Sequence, residues 1–170
     1  MILTGYIGTE TPILGRQIAE RLRMPFVNLD AQIAERLGLT IDDIRAYYGE
    51  TRLKSIEMEI MQEAALRRST VLRISGRTLL HADHYARLQT TGPVIALKIG
   101  LDAMLHKLHI NMGARYHDPR ERAMAIGELK REWDVYTLPE LIIVDTTSLE
   151  AEEIMQRVMT RWQEVAIERL

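Results

Sequence analysis

The chain has 170 residues, enough for one hydrophobic core and too few for two comfortable domains, so we expect a single domain over residues 1–170. Hydrophobic residues make up 46% and charged residues 27%, which is ordinary for a globular protein and excludes disordered and fibrous classes. A net charge of −2 excludes a global basic field for nucleic acid, and the absence of cysteine excludes disulfides and cysteine-based metal sites.

The cellular location and the partners of the protein can be judged from sequence features that it lacks. The apolar start, residues 1–5, lacks a basic leader, and no later apolar run approaches the length of a membrane span. The six tyrosines and two tryptophans show no regular alternation with basic residues of the kind that binds single-stranded nucleic acid. We therefore expect a cytoplasmic protein without a membrane or nucleic-acid partner, and the sequence gives no indication of its oligomeric state.

The first half of the chain begins with a strand, a tight turn and a helix. An apolar run at residues 2–7 contains Gly5-x-x-Gly8, and helical spacing of apolar residues starts at Ile13. A second buried strand is expected at residues 24–30, followed by a helix-rich stretch over 31–68.

Local signals divide that helix-rich stretch. Gly38 and Gly49 predict helix ends. Thr40 with Asp43 predicts the capped start of a middle helix that lies between these two glycines. The stretch is therefore expected to be several helices.

Three more apolar runs of strand length follow, at residues 70–75, 93–99 and 141–145. A last amphipathic helix is expected from about residue 149. Five strands that alternate with helices predict an α/β fold, with a parallel sheet covered on both faces. The stretch 111–122 is poor in apolar residues and is the candidate for a mobile lid.

The opening of the chain resembles shikimate kinase, a P-loop small-molecule kinase. The resemblance is carried by residues 5–16 and 25–30, and it continues through Gly49-Glu50 with Glu57, 94–108 and 136–146. It implies a three-layer P-loop kinase-like fold with a five-stranded parallel sheet and a short lid. It also implies ATP-dependent phosphoryl transfer to a small molecule, with ATP and Mg²⁺ as cofactors.

The phosphate-binding loop departs from the family pattern Gly-x-x-x-x-Gly-Lys-Ser/Thr. Glu10 stands at the second glycine, Thr11 at the lysine that neutralises phosphate, and Pro12 at the hydroxyl that holds magnesium. The loop positions that the resemblance singles out are Gly5, Gly8, Thr9, Glu10, Thr11 and Pro12. These substitutions argue against tight binding of ATP and magnesium.

The same residues also have a purely structural interpretation. Thr11 is a good N-cap and Pro12 suits a first helical turn, so the loop is expected to be a plain strand-to-helix connection. A second hypothesis places the Glu10 carboxylate in the anion cradle at the helix N-terminus, where it would imitate a phosphate.

On the acceptor side the resemblance implies two aspartates after the second strand, and here they are Asn28 and Asp30. Asp30 is the candidate catalytic residue on the substrate side, with helix capping as the alternative role. The substrate-binding candidates are Asp30, Lys54 at a family arginine position, and Gly76 and Arg77 in place of a triple-glycine turn.

The resemblance also places arginines over the phosphates and a loop beside adenine. The lid candidates are Arg115, Arg120, Arg122 and Arg131, the last one position from Glu132, which stands where the family has arginine. A solvated helix face is the alternative for the first three. The adenine-loop candidates are Thr146 and Thr147, which follow the last strand.

Two histidine pairs have the spacing of helical metal ligands. His81 and His84 are three residues apart, as are His106 and His109. Since no acidic or cysteine partner completes either pair in the sequence, we expect exposed polar residues and no metal site.

Three functions remain open at this point. The first is a shikimate-kinase-like protein that has lost efficient phosphoryl transfer and acts in ligand binding or regulation. The second is an active small-molecule kinase in which Arg77, Arg115 or Lys54 replaces the missing lysine. The third is an interaction protein that keeps the scaffold for its shape.

Overall fold

The structure is a computed structural model that describes residues 1–5 and 10–168. Five parallel strands form one sheet in the order β2-β3-β1-β4-β5. The strands are β1 (Ile2–Thr4), β2 (Phe26–Asn28), β3 (Val71–Arg73), β4 (Val94–Lys98) and β5 (Ile142–Asp145). The expected five-stranded parallel α/β sheet is confirmed.

Eight α-helices follow or connect these strands within the described residues. They are α1 (Thr11–Leu22), α2 (Leu29–Leu37), α3 (Ile41–Ala65), α4 (Gly76–Leu79), α5 (His84–Gln89), α6 (Leu101–Met112), α7 (Pro119–Trp133) and α8 (Ala151–Glu168). Two 3-10 helices, Gly113–His117 and Asp134–Thr137, flank α7. None of the helices in this part of the chain is long and apolar enough to cross a bilayer.

The strand pleat divides the core between two faces of the sheet. Ile2 and Leu3 are adjacent in β1 and both fully buried, yet they belong to different hydrophobic clusters because successive side chains of a strand point to opposite faces. One cluster packs α2, α3 and α5 against the sheet, and the other packs α1, α6 and α8. The result is the three-layer architecture that alternating strands and helices predict.

Capping residues fix the helices that surround the carboxyl edge of the sheet. Thr40 caps α3 by accepting a hydrogen bond from the Asp43 amide (3.1 Å), as expected. Gly38 ends α2 in the left-handed conformation. Gly49 has non-helical angles (φ 80°, ψ 169°) inside α3, so the long helix bends there and the expected break is confirmed.

Two expected caps are wrong. Asn28, and not Asp30, caps α2, since its Oδ1 accepts from the Ala31 amide (3.4 Å). Helix α1 begins at Thr11 itself, with Glu10 as the residue before it and without a side-chain cap. Pro12 does lie in the first turn of α1, where its missing N–H has no intrahelical partner to lose.

The expected lid segment, 111–122, is helical in this structure. It contains the end of α6, the 3-10 helix Gly113–His117 and the first turn of α7. Asp118 caps α7 by accepting from the amides of Arg120 (2.8 Å) and Glu121 (3.3 Å). Whether this segment moves stays a prediction.

Candidate functional site

A cavity of about 700 Å³ lies at the carboxyl edge of the sheet, where parallel α/β proteins bind ligands. Its wall is formed by the residues after β2, the start of α3, the turn after β3 and the last turns of α7. We call it the acceptor cavity. Of the catalytic, substrate-binding and lid candidates, it contains Asp30, Arg77 and Arg131.

Asp30 is fixed in this wall by residues of the turn after β3. Its Oδ1 accepts from the hydroxyls of Ser75 (2.7 Å) and Thr78 (2.6 Å). Its Oδ2 accepts from the Ser75 amide (2.6 Å) and from Arg73 (2.9 Å). Because a carboxylate offers about four lone-pair positions, these four donors nearly saturate it. Asp30 therefore joins the first turn of α2 to β3 and the turn that follows it, and a substrate hydroxyl would have to displace one of these donors.

Gly76 lets α7 approach the turn after β3. Its amide donates to Glu132 Oε2 at 2.6 Å, and a Cβ on Gly76 would lie 2.8 Å from the Glu132 carbonyl oxygen. Helix α7 thus places a carboxylate directly on this turn. Burial, followed by repulsion from Asp30, raises the pKa of the Glu132 carboxyl above its usual value. The backbone amides of Gly76 and Arg77 partly offset that rise.

The arginines of the acceptor cavity are engaged by carboxylates of the same wall. Arg77 contacts Asp42 (2.8 Å) and Glu128 (2.8 Å), and Arg131 contacts Glu128 (2.7 Å). Arg45, which sequence reasoning did not single out, contacts Asp42 (3.0 Å) as well. The triple-glycine position therefore holds an arginine that links α4 to the helices on either side of the cavity.

A chain of acidic and imidazole groups lies at the back of the acceptor cavity. His81 Nδ1 contacts Glu57, and its Nε2 contacts Glu50 at 2.9 Å. Glu57 is fully buried, and desolvation raises its pKa although both histidines partly counter this. His84 is buried as well, with Nδ1 2.8 Å from the Thr78 carbonyl and Nε2 3.9 Å from Glu57.

The expectation for His81 and His84 is therefore wrong in one respect. They are not solvent-exposed, and acidic partners complete the pair through Glu57, which is 24 residues away from His81 in sequence. Even so, the residues that the structure describes contain no group of three or more His, Cys, Asp or Glu side chains placed to hold a metal ion.

The phosphate-loop positions are described only in part. Gly8 and Thr9 lie outside the described residues. Gly5 has a positive φ of 90° and runs so close to Leu97 that a Cβ would collide with its backbone. Glycine is therefore needed at this position for the fold.

Glu10, Thr11 and Pro12 stand at the start of α1. The Glu10 side chain is 70% exposed and its carboxylate lies 3.7 Å from Lys107 Nζ of α6. The interpretation of Glu10 as an internal phosphate mimic is wrong, because its charge points outward to Lys107. Thr11 is fully buried, so it does not present a hydroxyl to solvent.

A second cavity, of about 640 Å³, adjoins the start of α1. Glu10, Lys107 and Thr147 contribute to its wall. Thr147 Oγ1 donates to Asp145 (2.6 Å) and accepts from the Gly100 amide (2.7 Å), while buried Thr146 donates to the Lys98 carbonyl (3.0 Å). Thr147 is thus the adenine-loop candidate that reaches this cavity, and the adenine role of both threonines stays a prediction.

The remaining candidates lie outside both cavities. Arg115 is exposed and contacts Glu121, and Arg120 is exposed. Arg122 lies over the Tyr116 ring, 5.6 Å from its centroid. Lys54 is exposed on α3. Arg115 and Arg120 thus face solvent while Arg122 is half-buried, and the lid role of the three arginines stays a prediction.

The residues at the start of α1 do not fit a magnesium nucleotide. A carboxylate occupies the place of the close-approach glycine, buried Thr11 replaces the lysine, and Pro12 has no hydroxyl for the metal. Asn28, which caps α2, supplies no anionic charge on the acceptor side. Lys107 is the cation that lies nearest to Glu10 among the contacts of the described chain.

The sequence and the fold both match known proteins over nearly the whole chain. A family model for shikimate kinase matches residues 12–163, so the loop after β1 precedes the matched region. A curated shikimate kinase of Thermus thermophilus is 28% identical over 163 residues, covering 94% of this chain and 87% of the relative. One of Thermodesulfovibrio yellowstonii is 23% identical over 169 residues, covering 98% and 96%.

Solved structures give the same result. Shikimate kinase from Bacteroides thetaiotaomicron superposes with a TM-score of 0.77 and 26% identity, covering 95% of this chain and 96% of the other. Shikimate kinase from Acinetobacter baumannii, in complex with shikimate, gives 0.74 at 22% identity, covering 99% and 93%. The resemblance seen in the sequence is confirmed, and the chain belongs to the shikimate kinase family.

Proposed function

We propose that this family member binds a small polar molecule in the acceptor cavity and does not transfer a phosphoryl group efficiently from ATP. The observation that carries the proposal is the start of α1, where an exposed Glu10 carboxylate precedes buried Thr11 and Pro12. Phosphoryl transfer depends on positive charge around the phosphates, and the protein's main contribution is to position and neutralise them.

The size of the electrostatic change supports this proposal. Two unit charges 4 Å apart near a protein surface interact by about 4 kcal/mol at an effective dielectric constant of about 20. A carboxylate at this position therefore opposes a polyphosphate by an amount comparable to what a lysine would contribute. The buried Thr11 side chain supplies no charge in return.

The acceptor cavity supports the binding half of the proposal. Its wall is held in place by the Asp30 hydrogen bonds and by the Glu132 contact with Gly76. A wall ordered by its own contacts loses little conformational freedom when a ligand enters, which favours binding. We also propose that the protein is cytoplasmic, that the ligand of this cavity is a small molecule, and that the protein has no nucleic-acid partner.

Calorimetric titration with ATP and magnesium tests the proposal directly. The native protein is compared with a variant whose loop is restored by Glu10→Gly, Thr11→Lys and Pro12→Ser together. We expect the restored loop to bind at least about tenfold more tightly, equivalent to about 1.4 kcal/mol, with negligible ATP consumption by the native protein. Equal, tight binding by both proteins together with ATP turnover would contradict it.

A second candidate function is favoured by Lys107. This lysine contacts Glu10 at 3.7 Å and contributes to the second cavity, so it could supply the missing charge from α6. Arg77 is engaged in the acceptor cavity, Arg115 pairs with Glu121, and Lys54 is exposed on α3. An active kinase of this kind should lose ATP turnover in Lys107→Ala and keep it in Arg115→Ala. If the native protein has no ATP turnover, the active-kinase function is excluded. The interaction-scaffold function then becomes the alternative only if the acceptor cavity also binds no small molecule.

A further inference from the structure

The charge balance of the acceptor cavity is unusual for a site that would receive an acid. Among the described residues its wall contains three arginines, Arg45, Arg77 and Arg131, together with His81. It also contains six carboxylates: Asp30, Asp42, Glu57, Glu128, Glu132 and Asp134. A ligand that enters this cavity therefore meets a predominantly acidic wall.

Each of the three arginines already contacts carboxylates of the same wall. Arg77 lies between Asp42 and Glu128, with 2.8 Å to each. Arg131 contacts Glu128, and Arg45 contacts Asp42. A carboxylate ligand would have to compete with these ion pairs for every arginine, and it would bring a further negative charge into the cavity.

Glu132 and Asp30 form the most constrained part of this wall. The Gly76 amide fixes Glu132 Oε2 at 2.6 Å, and Asp30, whose negative charge adds to burial in raising the pKa of Glu132, lines the same wall. Arg73 contacts Asp30 at 2.9 Å, but Ser75 and Thr78 also donate to that carboxylate. Glu132 is thus held beside a like charge, and a ligand cation would relieve this repulsion.

The cavity also has polar side chains and enough volume to bind the hydroxyl groups of a ligand. Asn28, Thr40 and Ser75 contribute polar side chains to the wall, and about 700 Å³ is room for a single six-membered ring with its substituents. We propose that the cavity selects a small hydroxylated amine, with its ammonium group against Glu132, over the matching carboxylic acid. This inference rests on the proposed binding function and names the ligand class of that same site.

A matched set of three sugars isolates the charge at one carbon atom. 6-Amino-6-deoxyglucose, glucose and glucuronate share a ring and differ only at the sixth carbon, which is a CH2–NH3+, a CH2–OH or a carboxylate group. In calorimetric titrations near neutral pH and at low salt, we expect the amine to bind at least about tenfold more tightly than glucuronate, with glucose between them. High salt should reduce the difference.

Two outcomes of this titration overturn the proposal. One is glucuronate binding as tightly as the amine or more tightly. The other is no binding by any of the three sugars at millimolar concentration, which removes a hydroxylated ring as the ligand class.

Variants locate the preference in the wall. Glu132→Gln keeps an oxygen acceptor for the Gly76 amide and removes the charge, so it should abolish most of the amine preference. Glu128→Gln removes the carboxylate that pairs with Arg131 and one of the two that pair with Arg77, so it should strengthen glucuronate binding several-fold. Glu20→Gln, an exposed site on α1, is the matched control and should change neither affinity. An unchanged ratio of the two affinities in both wall variants contradicts the assignment.

The design also separates this inference from the proposed function. If Glu132→Gln does not fold, as judged by circular dichroism, the result with Glu128→Gln decides the assignment by itself. Amine binding accompanied by ATP consumption would uphold the ligand class and overturn the proposed lack of transfer. A preference for glucuronate without ATP consumption would overturn the ligand class and uphold the proposed lack of transfer.

Discussion

The two ends of the site differ in how their polar residues are held. In the acceptor cavity, Asp30 and Glu132 accept hydrogen bonds from the turn after β3, which is more than 40 residues from either in sequence. At the start of α1, Glu10 is exposed and meets Lys107 at 3.7 Å across the surface. The Glu132 departure from the family pattern is therefore built into the packing at one end, whereas the Glu10 departure lies on the surface at the other.

That difference has a physical consequence for stability. Buried polar groups are costly to leave unpaired, whereas exposed ion pairs contribute little because water screens them. Substitutions in the acceptor cavity should therefore change the free energy of unfolding, and substitution of the exposed Glu10 should mainly change ligand binding.

Removal of the Asp30 carboxylate should have the largest effect. Asp30→Ala leaves Arg73, Ser75 and Thr78 without their shared acceptor, and Arg73 is only 13% exposed. We expect the free energy of unfolding to fall by about 3 kcal/mol, measured by urea denaturation. Asp30→Asn keeps the shape and should lose less. A loss below about 1 kcal/mol in Asp30→Ala would show that the carboxylate is free for a ligand.

Replacement by alanine of two glycines, Gly76 beside α7 and Gly127 within it, should change the free energy of unfolding in opposite directions. Gly76→Ala places a Cβ 2.8 Å from the Glu132 carbonyl oxygen, so we expect a loss of about 2 kcal/mol in unfolding free energy. Gly127 lies inside α7 with open space around its Cβ position, and Gly127→Ala should stabilise by about 0.5–1 kcal/mol. Two losses of similar size would mean that the close contact at Gly76 is not the cause.

The pH dependence of stability should report on Glu132. Burial and Asp30 raise the pKa of Glu132 above the unfolded value of 4.5, so the folded protein keeps this proton to higher pH. The corresponding stabilisation is present below pH 4.5 and is lost as the pH rises through the raised pKa. Glu57 shifts in the same direction.

Glu132→Gln removes the Glu132 part of that dependence. Its free energy of unfolding should therefore fall less than that of the native protein as the pH is raised above 4.5. Parallel curves for the two proteins, obtained from denaturation at a series of pH values, would show that Glu132 titrates normally.

The sequence predicted the parts of this molecule that depend on local patterns. The five strands follow from apolar runs, and the α3 start at Thr40 and the break at Gly49 follow from residues within one helical turn. The capping role offered as the alternative for Asp30 and the solvent exposure expected of His84 were wrong, because the partners of both residues come from other elements. The Asp30 donors are 43 to 48 residues away, and no spacing rule connects His84 to the fully buried Glu57. Arg45 and Lys107 gave no signal at all, since both become site residues only through tertiary packing.

The smallest effect on stability should come from substitution of Glu10, the residue at the second glycine position of the phosphate-binding loop. Glu10→Gln removes a carboxylate that is 70% exposed and lies 3.7 Å from Lys107, a pair that water and salt screen. We expect the free energy of unfolding to change by about 0.5 kcal/mol or less, while ATP binding, if it is measurable, becomes stronger. A stability loss comparable to that of Asp30→Ala would show that Glu10 is held in the packing, and the two ends of the site would then not differ as described.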